Sequence, residues 1–474
     1  LIQNDSIINN PQNRCFIMVT IYFDKQFFSY LFNAKEEKYI ILRDKILSHK
    51  DDFVFLFSDA HLLDLQQDST DIKYKEMDFM QSIVGENCLI CKDSNIVVAN
   101  ESPRSAFSHF ANTQQLSWLD NFDLSQIPKE QYDFINNAID LSIKDLKGEL
   151  ELDWITKRTP IHTNELNVNK DEFSSFLKFI IANLYDKKDT YKAMRDVAME
   201  NYNPTKITAD GDRVFNDQLS SSPLGLSFIN LIKAVSNQLG MSSLGFGMAY
   251  FLSYTLLDLL GICREPRKKV KIRNMQTDSF HSFFGTYCDC IVSDDEGVRD
   301  KSKILYRLFN VETQVYSIDE FIGQFDKAIN DNKKTAREYF DEIRNDYEQK
   351  EVLHTENHSE YTITQLKAAH KYFGYFNHMF ERESKDGTVI MLHKNINIKN
   401  SIYVQEVEVI VNRIARIFNS MGAEIRLFDK ETDWEQIRSD NWRRGVDFND
   451  AEAYLAKFKD IPALYFLIEF KNPS

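Results

Sequence analysis

The sequence predicts an α/β protein: a three-layer domain on a parallel sheet, carrying a helical insertion and followed by a C-terminal α+β domain. Three observations carry this. Residues 16–23 (FIMVTIYF) are a continuous apolar run, which is how a strand buried on both faces of a parallel sheet reads. A stretch from about 26 to 47 has apolar positions at helical spacing, and 53–57 (FVFLF) is a second apolar run, so strand and helix alternate. Glycine (15) and proline (9) are scarce for 474 residues, which excludes collagen-like, linker-rich and turn-dense all-β chains.

The remaining elements follow in order. The second strand runs into Ser58-Asp59, where either residue suits a helix N-cap. A hairpin is expected within 86–100, turning near 92–95. Helices are expected over 129–146 and 171–199, and a loop over 207–224. The stretch 244–263 has the length of a membrane span and a basic flank. However, Ser253, Thr255, Asp258 and three glycines interrupt it, so it predicts a buried helix of a soluble core. A strand at 288–293, a helix at 297–309 and a strand at 313–316 restore the α/β texture. Ser317-Ile-Asp-Glu320 then has capping-box spacing. A charged helix over 330–351 leads to helix 364–381, strand 388–392, helix 401–419, strand 424–428 and strand 463–470. The expected division is 15–65 and 244–327 for the two parts of the core, 66–243 for a mainly helical insertion, and 335–474 for the C-terminal domain.

Composition limits the function. Hydrophobic residues make up 43% of the chain, enough for packed cores and too many for a disordered one. The net charge of −15 argues against indiscriminate coating of nucleic acid, whose affinity comes from neutralised phosphates. Six cysteines form no disulfide framework and no secretory segment opens the sequence, so a reducing cytoplasm is expected. Cys88-Leu-Ile-Cys91 lacks a second pair at zinc spacing and reads as two ordinary thiols.

Four acids stand at element ends that a parallel sheet would bring together. Asp24 closes the first strand, Asp64 lies early in the helix after the second, Asp278 precedes Ser-Phe-His281, and Asp295 follows the strand at 288–293. Sites in open α/β sheets form beyond the carboxyl ends of the strands. Clustered carboxylates imply a divalent cation, and oxygen-only ligands favour Mg²⁺ or Mn²⁺. His61 and His281 each lie three residues from an acid, hence on its helix face. The plainer reading is that such acids cap helices and such histidines orient them by hydrogen bonds.

This ordered set resembles the PIN-domain ribonucleases. In that family a third acid opens a helix of the D-x-x-[HI] type, matched by Asp278-Ser-Phe-His281, and a fourth sits in T-x-D, matched by Ser293-Asp294-Asp295 with Ser for Thr. Asp24 matches the first acid and Asp64 the second, which is commonly Glu; Asp59 is the fallback, and Asp294 can stand in for Asp295. The separation of 214 from Asp64 to Asp278 departs from a minimal domain and implies the insertion. The resemblance implies Mg²⁺- or Mn²⁺-dependent phosphodiester hydrolysis, with the four acids as catalytic and metal-holding residues. The substrate would be nucleic acid, RNA ahead of DNA, cut as by an endoribonuclease, and the analogy extends to effectors of bacterial toxin or anti-phage defence systems with a regulatory protein partner. Arg264, Arg267, Lys268, Lys269, Lys271 and Arg273 form a dense basic segment just before Asp278, placed to clamp a phosphate backbone. Trp442-Arg443-Arg444 offers a weaker stacking site. The competing reading is a catalytically inactive scaffold of the same fold that binds proteins; membrane attachment is not expected, and the oligomeric state is open.

Overall fold

The computed structural model describes residues 18–92, 95–112, 195–196, 199–200, 202–209, 214–238, 246–263, 272–394, 402–438, 442–448, 451–458 and 463–470. The expected helix at 129–146 and most of that at 171–199 lie outside these residues.

The chain is mixed α/β, with one mostly parallel and one antiparallel sheet. The first holds β1 (Thr20–Phe23), β2 (Val54–Ser58), β3 (Asn87–Lys92), β4 (Asn95–Asn100), β5 (Cys290–Val292) and β6 (Gln314–Tyr316), in the order β4-β3-β2-β1-β5-β6. All neighbours are parallel except β3 and β4, which form the expected hairpin. Ile21 pairs with Phe55 on one side and Cys290 on the other. The segment after residue 66, expected to begin an insertion, instead supplies two strands of this sheet. The reason is that Cys88 and Leu89, both fully buried, continue the apolar layer from β2.

Alternate residues of the central strands face opposite ways, so each face needs its own cover. Tyr22, Leu56 and Ile291 pack with α8 (Phe246–Leu259), α9 (Ile272–Gly285) and α10 (Glu296–Leu308). Ile21, Phe23, Phe55 and Val292 pack with α1 (Lys25–Asn33), α2 (Glu37–Ser48), α4 (Ile72–Val84) and α11 (Ile318–Asp331). Helix α3 (Asp59–Gln67) starts at the carboxyl end of β2, and α5 (Pro103–Asn112) follows β4. The single helix expected at 26–47 is two, because Ala34 adopts a left-handed conformation (φ 43°) and closes α1 with a bond from its N–H to the Tyr30 carbonyl. Tyr30 and Tyr39 stack across the break, ring centroids 5.2 Å apart.

Helix α8 is a core element. Tyr250, Tyr254, Leu257, Ser253 and Asp258 are all fully buried. Among the described residues no helix is long and apolar enough to cross a membrane. The short α6 (Val214–Gln218) and α7 (Phe228–Gln238) pack against each other through Phe215 and Phe228; α6 replaces part of the loop expected at 207–224. Helix α12 (Ala336–Gln349) starts at a capping box between Thr335 and Glu338, and α11 starts at the expected box between Ser317 and Glu320.

The C-terminal α+β unit has seven antiparallel strands: β7 (Val352–Asn357), β8 (Tyr361–Leu366), β9 (His378–Ser384), β10 (Gly387–His393), β11 (Arg443–Asp447), β12 (Ala451–Lys457) and β13 (Leu464–Phe470). Helix α13 (Tyr403–Asn419) packs on the sheet with α12, and α14 (Lys430–Arg438) follows it. Two expectations fail here. Residues 364–381 are not a helix but the end of β8, a turn and the start of β9. Phe373 and Gly374 both take positive φ (55° and 66°), while Tyr372, Phe373, Tyr375 and Phe376 all turn into the core. Residues 424–428 pair with no strand; their amides are taken by side chains of α13, Ile425 N–H by Asn419 and Phe428 N–H by Asn412.

Gly374 is required where it stands. A Cβ there would lie 2.7 Å from an Arg413 guanidinium nitrogen and 2.8 Å from Asn332 Oδ1. Arg413 cannot swing away, because it is 2% exposed and donates to the Phe373 and Asp52 carbonyls. Gly374→Ala is therefore expected to destabilise the protein by at least ~1–2 kcal/mol from the left-handed backbone alone, more with the clash. Urea unfolding measures this; an unchanged midpoint would refute it.

Candidate functional site at the carboxyl edge of the parallel sheet

The strand order reverses between β1 and β5, where a crevice is expected beyond the carboxyl ends. The N-termini of α1, α3, α10 and α11 all meet this edge, each after a short step from its strand.

Asp24 leaves β1 at the reversal, with its N–H donating to the Val292 carbonyl of β5. Its carboxylate caps α1 by accepting from Phe27 N–H at 2.8 Å, and the Ser293 side chain nearby helps to hold its charge. The residue is 6% exposed. Burial pushes its carboxyl up to about 6 and the nearby Asp64 charge adds to the rise, against opposition from Ser293, His281 and Phe27 N–H.

Asp64 lies on the second turn of α3 and meets His281 of α9, with Nε2 3.0 Å from Oδ2. The other His281 nitrogen meets Tyr22 Oη at 2.9 Å, and Tyr22 Oη meets Ser58 Oγ at 2.6 Å. Ser58 caps α3 and forms a capping box with His61. His61 accepts the Ser58 N–H on Nδ1 and donates from Nε2 to the Phe23 carbonyl, so it is a neutral core histidine. Burial holds it well below the usual imidazole range.

The other two acids lie on neighbouring elements. Asp295 caps α10, its Oδ1 accepting from Gly297 and Val298 N–H. Asp294 accepts from Ile318 N–H at the start of α11. Asp278 does not open a helix; it is inside α9, one turn before His281 and nearer the sheet's carboxyl edge, since α9 ends four residues before β5 begins. Asp59, the alternative to Asp64, faces elsewhere: burial pushes it up to about 6 and the charge it feels is Glu101. The structure thus bonds Asp64 to His281 and sets Asp24 near enough to both to feel their charges. Among the described residues, no three His, Cys, Asp or Glu side chains have the spacing of a metal site. A four-carboxylate cage is not the arrangement present. A hydrated cation is a different demand, because Mg²⁺ keeps several waters and takes one or two protein carboxylates, with substrate phosphate completing its shell. Asp24 and Asp64 supply that number of carboxylates at one sheet edge.

Arg264, Arg267, Lys268, Lys269 and Lys271 lie outside the described residues, as does the side chain of Arg273. A cation that the sequence reading passed over is Arg299, on the first turns of α10, whose guanidinium donates to the Ser293 carbonyl at 2.9 Å. Its spacing of four from Asp295 was the available signal. The C-terminal triplet is no stacking site: Trp442 is 2% exposed, and it and Arg444 both bind the buried Asp433. Cys88 and Cys91 sit three apart on β3, hence on opposite faces, and cannot chelate one ion.

No family model, curated protein or solved structure matches this chain.

Proposed function

We propose that this edge is the active site of a PIN-like, Mg²⁺- or Mn²⁺-dependent nuclease that hydrolyses phosphodiester bonds, RNA ahead of DNA. The observation that carries the reading is Asp24: a carboxyl at the strand-order reversal, buried beside a second carboxylate and pushed up to about 6. Capping α1 would not by itself require a carboxyl held at that cost, and perturbed acids beside a second carboxylate are what catalytic sites arrange. Asp24 and Asp64 would hold the cation. When bound, it would lower the pKa of an attacking water and neutralise charge growing on phosphate oxygens. Ser293 steadies Asp24, His281 steadies Asp64, and Asp278 and Asp295 border the same edge. Arg299, anchored on the β5 terminus, is placed to meet a substrate phosphate.

The test is cleavage of end-labelled RNA and DNA with Mg²⁺, Mn²⁺ or EDTA. Cation-dependent cutting that disappears in Asp24→Asn and Asp64→Asn is expected; full activity in both variants would refute the assignment. Arg299→Ala is expected to raise KM roughly tenfold with kcat largely kept, as for lost uniform binding of a charged group. An unchanged KM would remove Arg299 from the site.

The inactive-scaffold reading draws on the absence of a three-ligand metal group among the described residues. A calorimetric Mn²⁺ titration without heat, together with no cleavage, would favour it.

A further inference from the structure

We infer that Tyr22 and His281 form a positioning relay that fixes the Asp64 carboxylate for cation binding; this rests on the reading of Asp24 and Asp64 as the cation's ligands. Four side chains from four elements make one continuous line: Ser58 Oγ, Tyr22 Oη at 2.6 Å, His281 Nδ1 at 2.9 Å, then His281 Nε2 to Asp64 Oδ2 at 3.0 Å.

The direction at the Asp64 end follows from its chemistry. An ionised carboxylate only accepts, so His281 Nε2 carries the proton. The ring's other nitrogen is held by Tyr22 Oη, and Tyr22 Oη by Ser58 Oγ, so the hydroxyl protons can point either way along the line without breaking it. His61 cannot supply an alternative proton, since both its nitrogens are held by backbone groups of Ser58 and Phe23. Its ring packs edge-on against both partners, centroids 5.2 Å from Tyr22 and 4.8 Å from His281, which blocks their rotation.

Burial gives the relay a polarity. Ser58, Tyr22 and His61 are fully buried and His281 is 3% exposed, whereas the Asp64 side chain is 30% exposed. The line therefore begins in the core of the sheet and ends on the carboxylate at the site. A polar chain in an aromatic core costs desolvation that apolar residues would avoid. What it provides is orientation: with His281 on Oδ2, the other Asp64 oxygen is left for a ligand. Outer hydrogen bonds of this kind commonly contribute 10–100-fold to metal affinity.

The experiment is Mn²⁺ binding to the full chain by calorimetry, with thermal unfolding of each variant recorded alongside. Tyr22→Phe keeps the ring and removes only the hydroxyl; it is expected to weaken Mn²⁺ binding about tenfold or more while remaining folded at the assay temperature. His281→Leu is expected to do the same, whereas His281→Gln, which keeps an N–H near the Nε2 position, should recover most of the loss. A merely structural role would lower the unfolding midpoint in all three without this split. If Asp64→Asn loses binding while Tyr22→Phe and His281→Leu bind like the parent, the relay is wrong and the cation site stands. If the parent binds no Mn²⁺, or Asp24→Asn and Asp64→Asn bind as well as the parent, the cation site falls and the relay with it.

Discussion

Asp24→Asn is expected to make the protein more stable at pH 8 while abolishing its cation-dependent activity. The carboxyl sits at about 6 in the folded chain against an ordinary 3.8, so the folded state holds its proton more tightly than the unfolded state does. Stability from that group is complete below pH ~4 and is lost as pH rises through 6. The difference corresponds to roughly 3 kcal/mol as an upper figure. Asparagine keeps an oxygen for the Phe27 cap and carries no charge to desolvate, and it caps helices as well as aspartate. The variant should therefore melt several degrees above the parent at pH 8, at ~2–4 °C per kcal/mol, and the gap should close toward pH 4. Added Mn²⁺ should raise the parent's midpoint by mass action and leave the variant's unmoved. Differential scanning fluorimetry across pH 4–8, with and without Mn²⁺, measures all of this. A variant that melts below the parent at pH 8 would mean that Asp24 serves the fold rather than a ligand. The expected trade, stability gained for function lost, is the usual mark of a strained active-site group.

The parts of this edge that were legible in the sequence are those fixed by local chemistry. The apolar runs gave β1 and β2, and Ser58, Ser317 and the acids at strand ends are the caps that their spacing predicts. What local pattern cannot give is which cap also faces a ligand. Asp24 and Asp295 look alike in sequence, each a single acid after a buried strand. They differ because β1 is central and its Asp24 is buried against Ser293, while Asp295 spends an oxygen on two amides of α10. That distinction comes from the strand order, a property of contacts 270 positions apart.

The C-terminal sheet was hidden for a related reason. The stretch AAHKYFGYFNHMF has helix-forming residues at helical spacing, and only Gly374 signals otherwise. Its aromatic side chains find a better home beneath α13, where Phe373, Phe376, Phe418 and Phe466 cluster. Tertiary burial of four rings outweighs propensities of a few tenths of a kcal/mol per residue. Arg413 adds to this by binding the Phe373 carbonyl and, through Asp52, the turn before β2. The same long-range contacts that conceal the sheet from the sequence tie it to the first domain.

Lys394→Met is expected to be among the most damaging single changes away from the site. Lys394 follows β10 and places Nζ 2.6 Å from Asp289 Oδ1 and 2.5 Å from Glu406 Oε1. Asp289 in turn accepts from Val19 and Thr20 N–H at 2.8 and 2.9 Å, joining the amino ends of β5 and β1, while Glu406 accepts from Tyr375. Burial pulls the ammonium down, but the two carboxylates outweigh it and hold Lys394 above its ordinary value. Burial likewise favours protonation of Asp289, yet Lys394 and the two backbone amides keep it below the usual carboxylate range. Glu406 stays raised, burial outweighing Lys394. Methionine fills similar space and leaves two carboxylates buried without a counter-charge, a situation that costs about 3–5 kcal/mol. The pH dependence identifies the cause. Without Lys394, both carboxyls would bind protons more tightly folded than unfolded, so the variant's deficit should shrink as pH falls from 7 toward 4, the reverse of ordinary acid denaturation. Adding Glu406→Gln to the variant should recover part of the loss at pH 7 by removing one of the two charges. Urea unfolding at pH 5 and 7 decides it: a deficit that is constant with pH, or no recovery in the double variant, would show that Lys394 acts through packing and not through its charge.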